Sequence, residues 1–154
     1  KRLRLRLRLL STSRKNSQVK VTLFNKYMKL NKGLYKSLLD QAKNNPRLRQ
    51  ALDLRTSSDD QSQRILNALI PDTEVPVHRH PSSAETVIVL YGCIDEMYYD
   101  ENGNEIERYT LHVGDGLQIA AGQFHTVEVK EPSILFEAKD GPYIPAKPED
   151  FIQR

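Results

Sequence analysis

Short β-rich segments separated by turn residues fill the sequence after residue 62, and they constrain the fold more than any other feature. Each segment has the length of a strand, is rich in β-branched or aromatic residues, and is bounded by Pro, Gly, Asn or Asp. The eight predicted strands are 63–70, 75–80, 85–91, 93–99, 105–113, 116–120, 125–130 and 133–139. Because no helical segments alternate with these strands, the pattern predicts a mainly β fold, either a barrel or a double-sheet jelly roll.

A helical segment precedes the strands. Asn31 can cap a helix, and Leu34, Leu38, Leu39 and Ala42 then recur at helical spacing until "NNP" at 44–46. A second helical turn is expected from Pro46 towards Leu52, since proline is tolerated in a first turn. We expect residues 28–62 to pack on the outside of a β-barrel formed by 63–154, the two making one domain.

The N-terminal sequence "KRLRLRLRLL" alternates basic and apolar residues, as an edge strand would. Residues 1–39 carry 12 Lys or Arg and no acid, whereas residues 40–154 carry 11 basic and 20 acidic side chains. Residues 1–27 are therefore interpreted as an edge strand, an extension of the domain or a basic arm. The arm lacks interleaved aromatic residues, so we do not expect nucleic acid as a partner.

Two absences in the sequence limit the location of the protein. No run of about 18 apolar residues occurs, so no membrane span is expected. The single cysteine, Cys93, has no internal partner for a disulfide and is interpreted as a small buried residue. Together these features favour a cytoplasmic protein.

Histidines cluster in "VPVHRHPSSAET". His78 and His80 are two residues apart, so on a strand both side chains point to the same face. Glu85 follows a turn containing Pro81, and its strand can return beside the histidines. His125, after the turn at Gly122, supplies one more ligand. Three imidazoles and a carboxylate suit a divalent first-row metal and leave positions for water or substrate. His112 has no such partners and is interpreted as structural.

These residues resemble both cupin motifs. Residues 72–92 are similar to the first, G-x5-H-x-H-x3-4-E-x6-G, at His78, His80, Glu85 and Gly92. Residues 114–129 are similar to the second, G-x5-P-x-G-x2-H-x3-N, at Gly114, Gly122 and His125. Departures occur at turn and framing positions, namely Asp72, Ala120 and Val129. The resemblance implies a cupin-type double-stranded β-helix that binds one divalent metal through three His and one Glu.

A finer resemblance covers residues 28–151. The stretches "NPRLRQALDL", "DDQSQRILNALIPDTEVPVHRHP" and "FEAKDGPYIP" are similar to the WbuC-like cupin-fold metalloproteins, which are often associated with lipopolysaccharide O-antigen biosynthesis. The resemblance implies a homodimer, a small-molecule ligand, and Fe, Mn, Ni or Zn as the metal.

Two classes of function remain open from the sequence. An enzyme would be an isomerase or epimerase, a hydrolase or a dioxygenase acting on a carbohydrate-related or other oxygen-rich small molecule. It would need an acid or base beside the metal, for which Glu137 and Tyr143 are the candidates. Arg64, Asn67 and Tyr98 are candidates for the substrate pocket. The alternative is a non-catalytic, metal-dependent module that binds or senses a small molecule.

Overall fold

The computed structural model describes residues 27–152. The predicted N-terminal edge strand lies outside the described residues. Helix α1 spans Lys32–Lys43 and is followed by eight strands. The strands are β1 (Arg49–Asp53), β2 (Ser62–Leu69), β3 (Glu85–Tyr91), β4 (Cys93–Tyr99), β5 (Glu105–His112), β6 (Gly116–Ile119), β7 (Phe124–Val129) and β8 (Ser133–Asp140).

The strands form two antiparallel sheets, one with the order β1-β2-β8-β3-β6 and one with the order β5-β4-β7. A hairpin joins β4 to β5, where Gly103 has a φ of 82° and the Asp100 carboxylate accepts the backbone N–H of Asn102 and Asn104. Apolar residues from both sheets pack between them, among them Leu69, Val89, Ile94 and Leu135. The mainly β, jelly-roll prediction is confirmed.

Helix α1 packs on the outer face of the five-stranded sheet. The Asn31 side chain caps it by accepting the backbone N–H of Leu34 at 3.1 Å. Its buried face contacts outward-facing side chains of β1, β2 and β8; this cluster comprises Leu38, Leu39, Ala42, Leu52, Leu66, Ala68 and Ile134. The helix thus closes the back of the sheet, away from the sheet's inner face.

The predicted helical turn from Pro46 to Leu52 is wrong. Leu48 has a φ of 53°, which takes the chain out of the helical region. From Arg49 onward the chain pairs with β2 as strand β1, burying Gln50 and Leu52 alternately. Backbone hydrogen bonds to a neighbouring strand therefore outweigh the local signal from the proline.

The predicted strand 75–80 is also not a regular strand. Pro76 and Pro81 lack the N–H groups that a ladder requires, and only His78 forms bridges, with His125 on one side and Phe151 on the other. His78 and His125 exchange backbone hydrogen bonds of 3.0 and 2.8 Å. The C-terminal segment adds two more, from Arg79 N–H to Asp150 O and from Ile152 N–H to Val77 O.

No helix within residues 27–152 is long and apolar enough to cross a membrane.

Candidate metal centre and its cavity

Three histidines meet at one end of the barrel. His78 and His80 come from the segment between β2 and β3, and His125 is the second residue of β7. Their ligand atoms all lie within 4.8 Å of one another. The backbone bridge between His78 and His125 fixes this approach, because it joins the two chain segments that carry the imidazoles.

Glu85, the first residue of β3, completes the cluster. Its side chain is buried, and Oε2 lies 3.0 Å from His80 Nε2 and 3.6 Å from His125 Nε2. Burial disfavours the carboxylate, but the adjacent His80 and Lys139 outweigh burial and lower the pKa of Glu85. Glu85 is therefore ionised at neutral pH, the form of a carboxylate that can bind a metal.

Three buried polar atoms converge here without a hydrogen-bond partner in the described chain: His80 Nε2, Glu85 Oε2 and His125 Nε2. The contact between His80 and Glu85 is short but lacks the geometry of a hydrogen bond. Buried polar atoms in folded proteins are nearly always paired. A metal cation that accepts the lone pairs of these atoms would remove the cost of leaving them unpaired. The residues therefore fit a divalent metal.

Outer hydrogen bonds orient two of the imidazoles. His78 Nδ1 lies 2.9 Å from Pro76 O, and His125 Nδ1 lies 2.7 Å from Glu96 Oε1. When Nδ1 carries the proton and donates it, the Nε2 lone pair is left for a metal. Burial lowers the pKa of both His78 and His125 to about 4, so both rings are neutral at pH 7, the form that binds metal.

The carboxylate of Glu96 lies behind His125 on β4. It is 3% exposed, and burial together with the charge of Glu85 raises its pKa well above the usual range. Glu96 Oε1 lies 2.7 Å from His125 Nδ1, and a proton carried by Nδ1 would be donated to this oxygen and would stabilise the ionised carboxylate. Glu96 and His125 thus hold one proton between them, on the side of the imidazole away from the cluster.

A cavity of about 280 Å³ opens beside the four candidate ligands. The inner face of the five-stranded sheet forms one wall and includes Asn67, Glu137 and Lys139. Arg49 and Phe151 also line it. A cavity of this size accommodates a small organic molecule, since pockets for drug-sized ligands begin at about 300 Å³.

The inner wall carries a connected polar group. Asn67 Nδ2 donates to Glu137 Oε1 at 2.8 Å, and Lys139 Nζ lies 3.5 Å from Glu85 Oε1 and 4.0 Å from Glu137 Oε2. The register explains the grouping, because Lys139 is opposite Glu85 and Glu137 is opposite Val87, so all point inward. Burial, followed by the charge of Glu85, raises the pKa of Glu137.

The other residues expected in the site lie elsewhere. Arg64 is on the outer face of β2 and binds Ser62 and Asp60. Tyr98 packs edge-on against Tyr109 at the side of the core, where burial raises its pKa to about 12. Tyr143 is 53% exposed on the C-terminal segment. None of these three lines the cavity, whereas Asn67 and Glu137 do.

Sequence reasoning missed three residues of the site. Lys139 follows Glu137 by two positions on a predicted strand, so period-two spacing could have placed it on the same face. Arg49 lay in a segment that was assigned to a helix. Glu96 lies in β4, where six of the seven residues are buried, so no alternation marks the inward face.

The fold is that of the cupins. KdgF from Halomonas sp. has a TM-score of 0.51 at 15% identity, over 64% of this chain and 84% of its own. The cupin domain of Cnp3 from Schizosaccharomyces pombe has a TM-score of 0.50 at 13% identity, over 60% and 64%. The capsular polysaccharide assembling protein CapF from Staphylococcus aureus has a TM-score of 0.53 at 16% identity. The alignment covers 66% of this chain but only 28% of CapF.

No curated protein matches the sequence. A family profile does match, over residues 30–111, which is more than half of the 154 residues and includes His78, His80 and Glu85. The chain is therefore a member of the family described as "Domain of unknown function (DUF6016)".

Proposed function

We propose that this protein is a metal-dependent cupin that holds one divalent ion through His78, His80, Glu85 and His125. The convergence of three buried, unpaired ligand atoms carries the proposal. Imidazole and carboxylate ligands suit Fe, Mn, Ni or Zn. When bound, such an ion polarises a carbonyl group or lowers the pKa of a bound water.

The side chains around the ion favour an enzyme acting on an oxygen-rich small molecule. Glu137 lines the cavity beside the candidate ligands, and its raised pKa suits it to accept and return a proton near neutral pH. Asn67 holds the Glu137 carboxyl in place, and Lys139 stabilises the charge of Glu85. An isomerase or epimerase, a hydrolase or a dioxygenase could use such a base.

A place in surface polysaccharide biosynthesis is part of this proposal. It is supported by the resemblance to WbuC-like proteins and by the shared fold of CapF, a capsular polysaccharide assembling protein. The cavity of about 280 Å³ favours a small precursor over a chain of sugars. We also propose the homodimer that the resemblance implies.

A non-catalytic binding module is the second candidate. Glu137 already accepts a hydrogen bond from Asn67 and lies near Lys139, and such contacts also stabilise a carboxylate that performs no chemistry. In that case the cavity would bind a metabolite through the metal without converting it.

Metal content measured by inductively coupled plasma mass spectrometry tests the common part of both candidates. We expect about one equivalent of a transition metal in the wild type and its loss in His78→Ala and His125→Ala. His112→Ala is the matched control, because His112 is exposed at the end of β5, outside the cluster. Equal metal content in all four proteins, or none after reconstitution, would contradict the proposal.

A further inference from the structure

We propose that the ligand of this cavity is a small organic carboxylate, bound through the guanidinium of Arg49. This inference rests on the proposed function and extends it, because it names the substrate class. Neutral sugars and polyols are thereby excluded as the main ligand.

Arg49 projects from the same face of the sheet as the rest of the inner wall. It is the first residue of β1 and pairs directly with Leu69 of β2, so their side chains share a face. Leu69 and Asn67, two residues apart on β2, both line the cavity, and Arg49 lines it with them. The strand register therefore directs the guanidinium inward.

The Arg49 guanidinium has a single protein partner within residues 27–152. Its Nη1 donates to the backbone oxygen of Glu74 at 2.8 Å, and it forms no ion pair there. The other charge that acts on it is that of Arg47, which is positive. A guanidinium has five N–H donors in a planar fork that matches a carboxylate, so one bond to Glu74 leaves donors on this cavity-lining side chain for a ligand.

Burial makes this arrangement unfavourable in the absence of an anion. The Arg49 side chain is partly withdrawn from water, and burial lowers its pKa, although an arginine stays protonated at any physiological pH. A desolvated charge without a counter-ion costs free energy. An anionic ligand would remove that cost, whereas a neutral one would leave it.

The charge of the whole cavity points the same way. Two cations, Arg49 and Lys139, and three carboxylates, those of Glu85, Glu96 and Glu137, lie along it. With a divalent ion added, the formal charge is +1 even when every carboxylate is ionised. An anionic ligand such as a carboxylate offsets this excess, whereas a neutral ligand does not. Lys139 is already 3.5 Å from Glu85, which leaves Arg49 as the anion partner.

The experiment measures binding affinity by isothermal titration calorimetry of the metal-loaded protein with matched pairs of small ligands. Glycolate is compared with ethylene glycol, and glycerate with glycerol, because each pair differs by a carboxylate in place of a hydroxymethyl group. Glycerol phosphate tests the alternative anion. The key variant is Arg49→Gln, which keeps a polar N–H group but carries no charge. The matched control is Arg64→Gln, on the outer face of the neighbouring strand.

We expect at least one of the carboxylates to bind at least tenfold more tightly than its neutral partner. Arg49→Gln should weaken that binding by about 10- to 100-fold, the range of a charge-assisted hydrogen bond, and Arg64→Gln should not. Metal content should be the same in all three proteins. This last measurement separates the two proposals, because loss of the metal site would appear there before any ligand is added.

Three results would overturn the carboxylate assignment while leaving the metal site intact. In the first, the carboxylates bind no more tightly than their neutral partners, or neither binds. In the second, Arg49→Gln leaves carboxylate binding unchanged. In the third, glycerol phosphate binds more tightly than glycerate.

Discussion

The hydrogen bond between Glu96 and His125 gives the sharpest test of how this chain prepares a metal ligand. The two atoms are 2.7 Å apart, and both residues are at most 5% exposed. In Glu96→Gln the amide oxygen can still accept the Nδ1 proton, but the negative charge that makes the imidazole a stronger ligand is gone. Loss of such an outer partner lowers metal affinity by about 10- to 100-fold, or ~1.4–2.7 kcal/mol.

Because Glu96→Gln keeps the hydrogen bond, we expect it to lower metal affinity about tenfold. Glu96→Ala keeps neither the hydrogen bond nor the charge, so it should lower metal affinity further. The assay is a competition titration of the metal against a chelator of known affinity. Glu128→Gln is the control, since this half-exposed carboxylate pairs with Arg108 and Lys130 away from the cavity. If all three variants bind metal as the wild type does, Glu96 does not tune His125 and the reasoning fails.

Two further predictions concern the metal-free fold. Burial lowers the pKa of His78 and His125 to about 4, so these two residues make the folded chain less stable as the pH falls from 6.5 to 4, whereas the raised pKa values of Glu96 and Glu137 act in the opposite direction. His78→Ala should therefore lose less free energy of unfolding in urea than the wild type as the pH falls across that window, and identical pH profiles would contradict the shifts. Gly92→Ala should lower the free energy of unfolding by several kcal/mol. This exceeds the ~1–2 kcal/mol of left-handed backbone strain expected for Gly114→Ala. A Cβ at Gly92 would lie 2.3 Å from Pro132 O, whereas Gly114 faces open space; equal melting temperatures would refute the steric argument.

Much of the candidate site could be read from the sequence because its ligands follow local rules. In an extended chain the H-x-H spacing puts His78 and His80 on one face. The turn at Pro81 then brings Glu85 back beside them. His125 needed the second motif, since no local rule joins β7 to the segment 75–80. The structure supplies that link as a backbone bridge between His78 and His125.

What the sequence left undetermined depends on register. Arg49 was assigned to a helical turn because Pro46 is a local signal, whereas its pairing with Leu69 is a contact across 20 positions. The segment 75–80 looked like a strand by composition, but its prolines limit it to a bridge. A shift of one residue in strand register exchanges the inward and outward faces of a strand. Without the register, the sequence indicates Arg64 and Tyr98 as pocket residues and does not indicate Arg49 and Glu96.

The bridge at His78 has a consequence for how the protein would retain a bound metal ion. The same residue that would bind the metal is held between β7 and the C-terminal segment, with Phe151 as its second bridge partner and an Arg79–Asp150 ion pair beside it. Docking of the C-terminal segment and occupancy of the centre are therefore thermodynamically coupled. Amide protons of residues 150–152 should exchange more slowly in the holoprotein than in the apoprotein, and any partner that lifts this segment would also promote release of the ion.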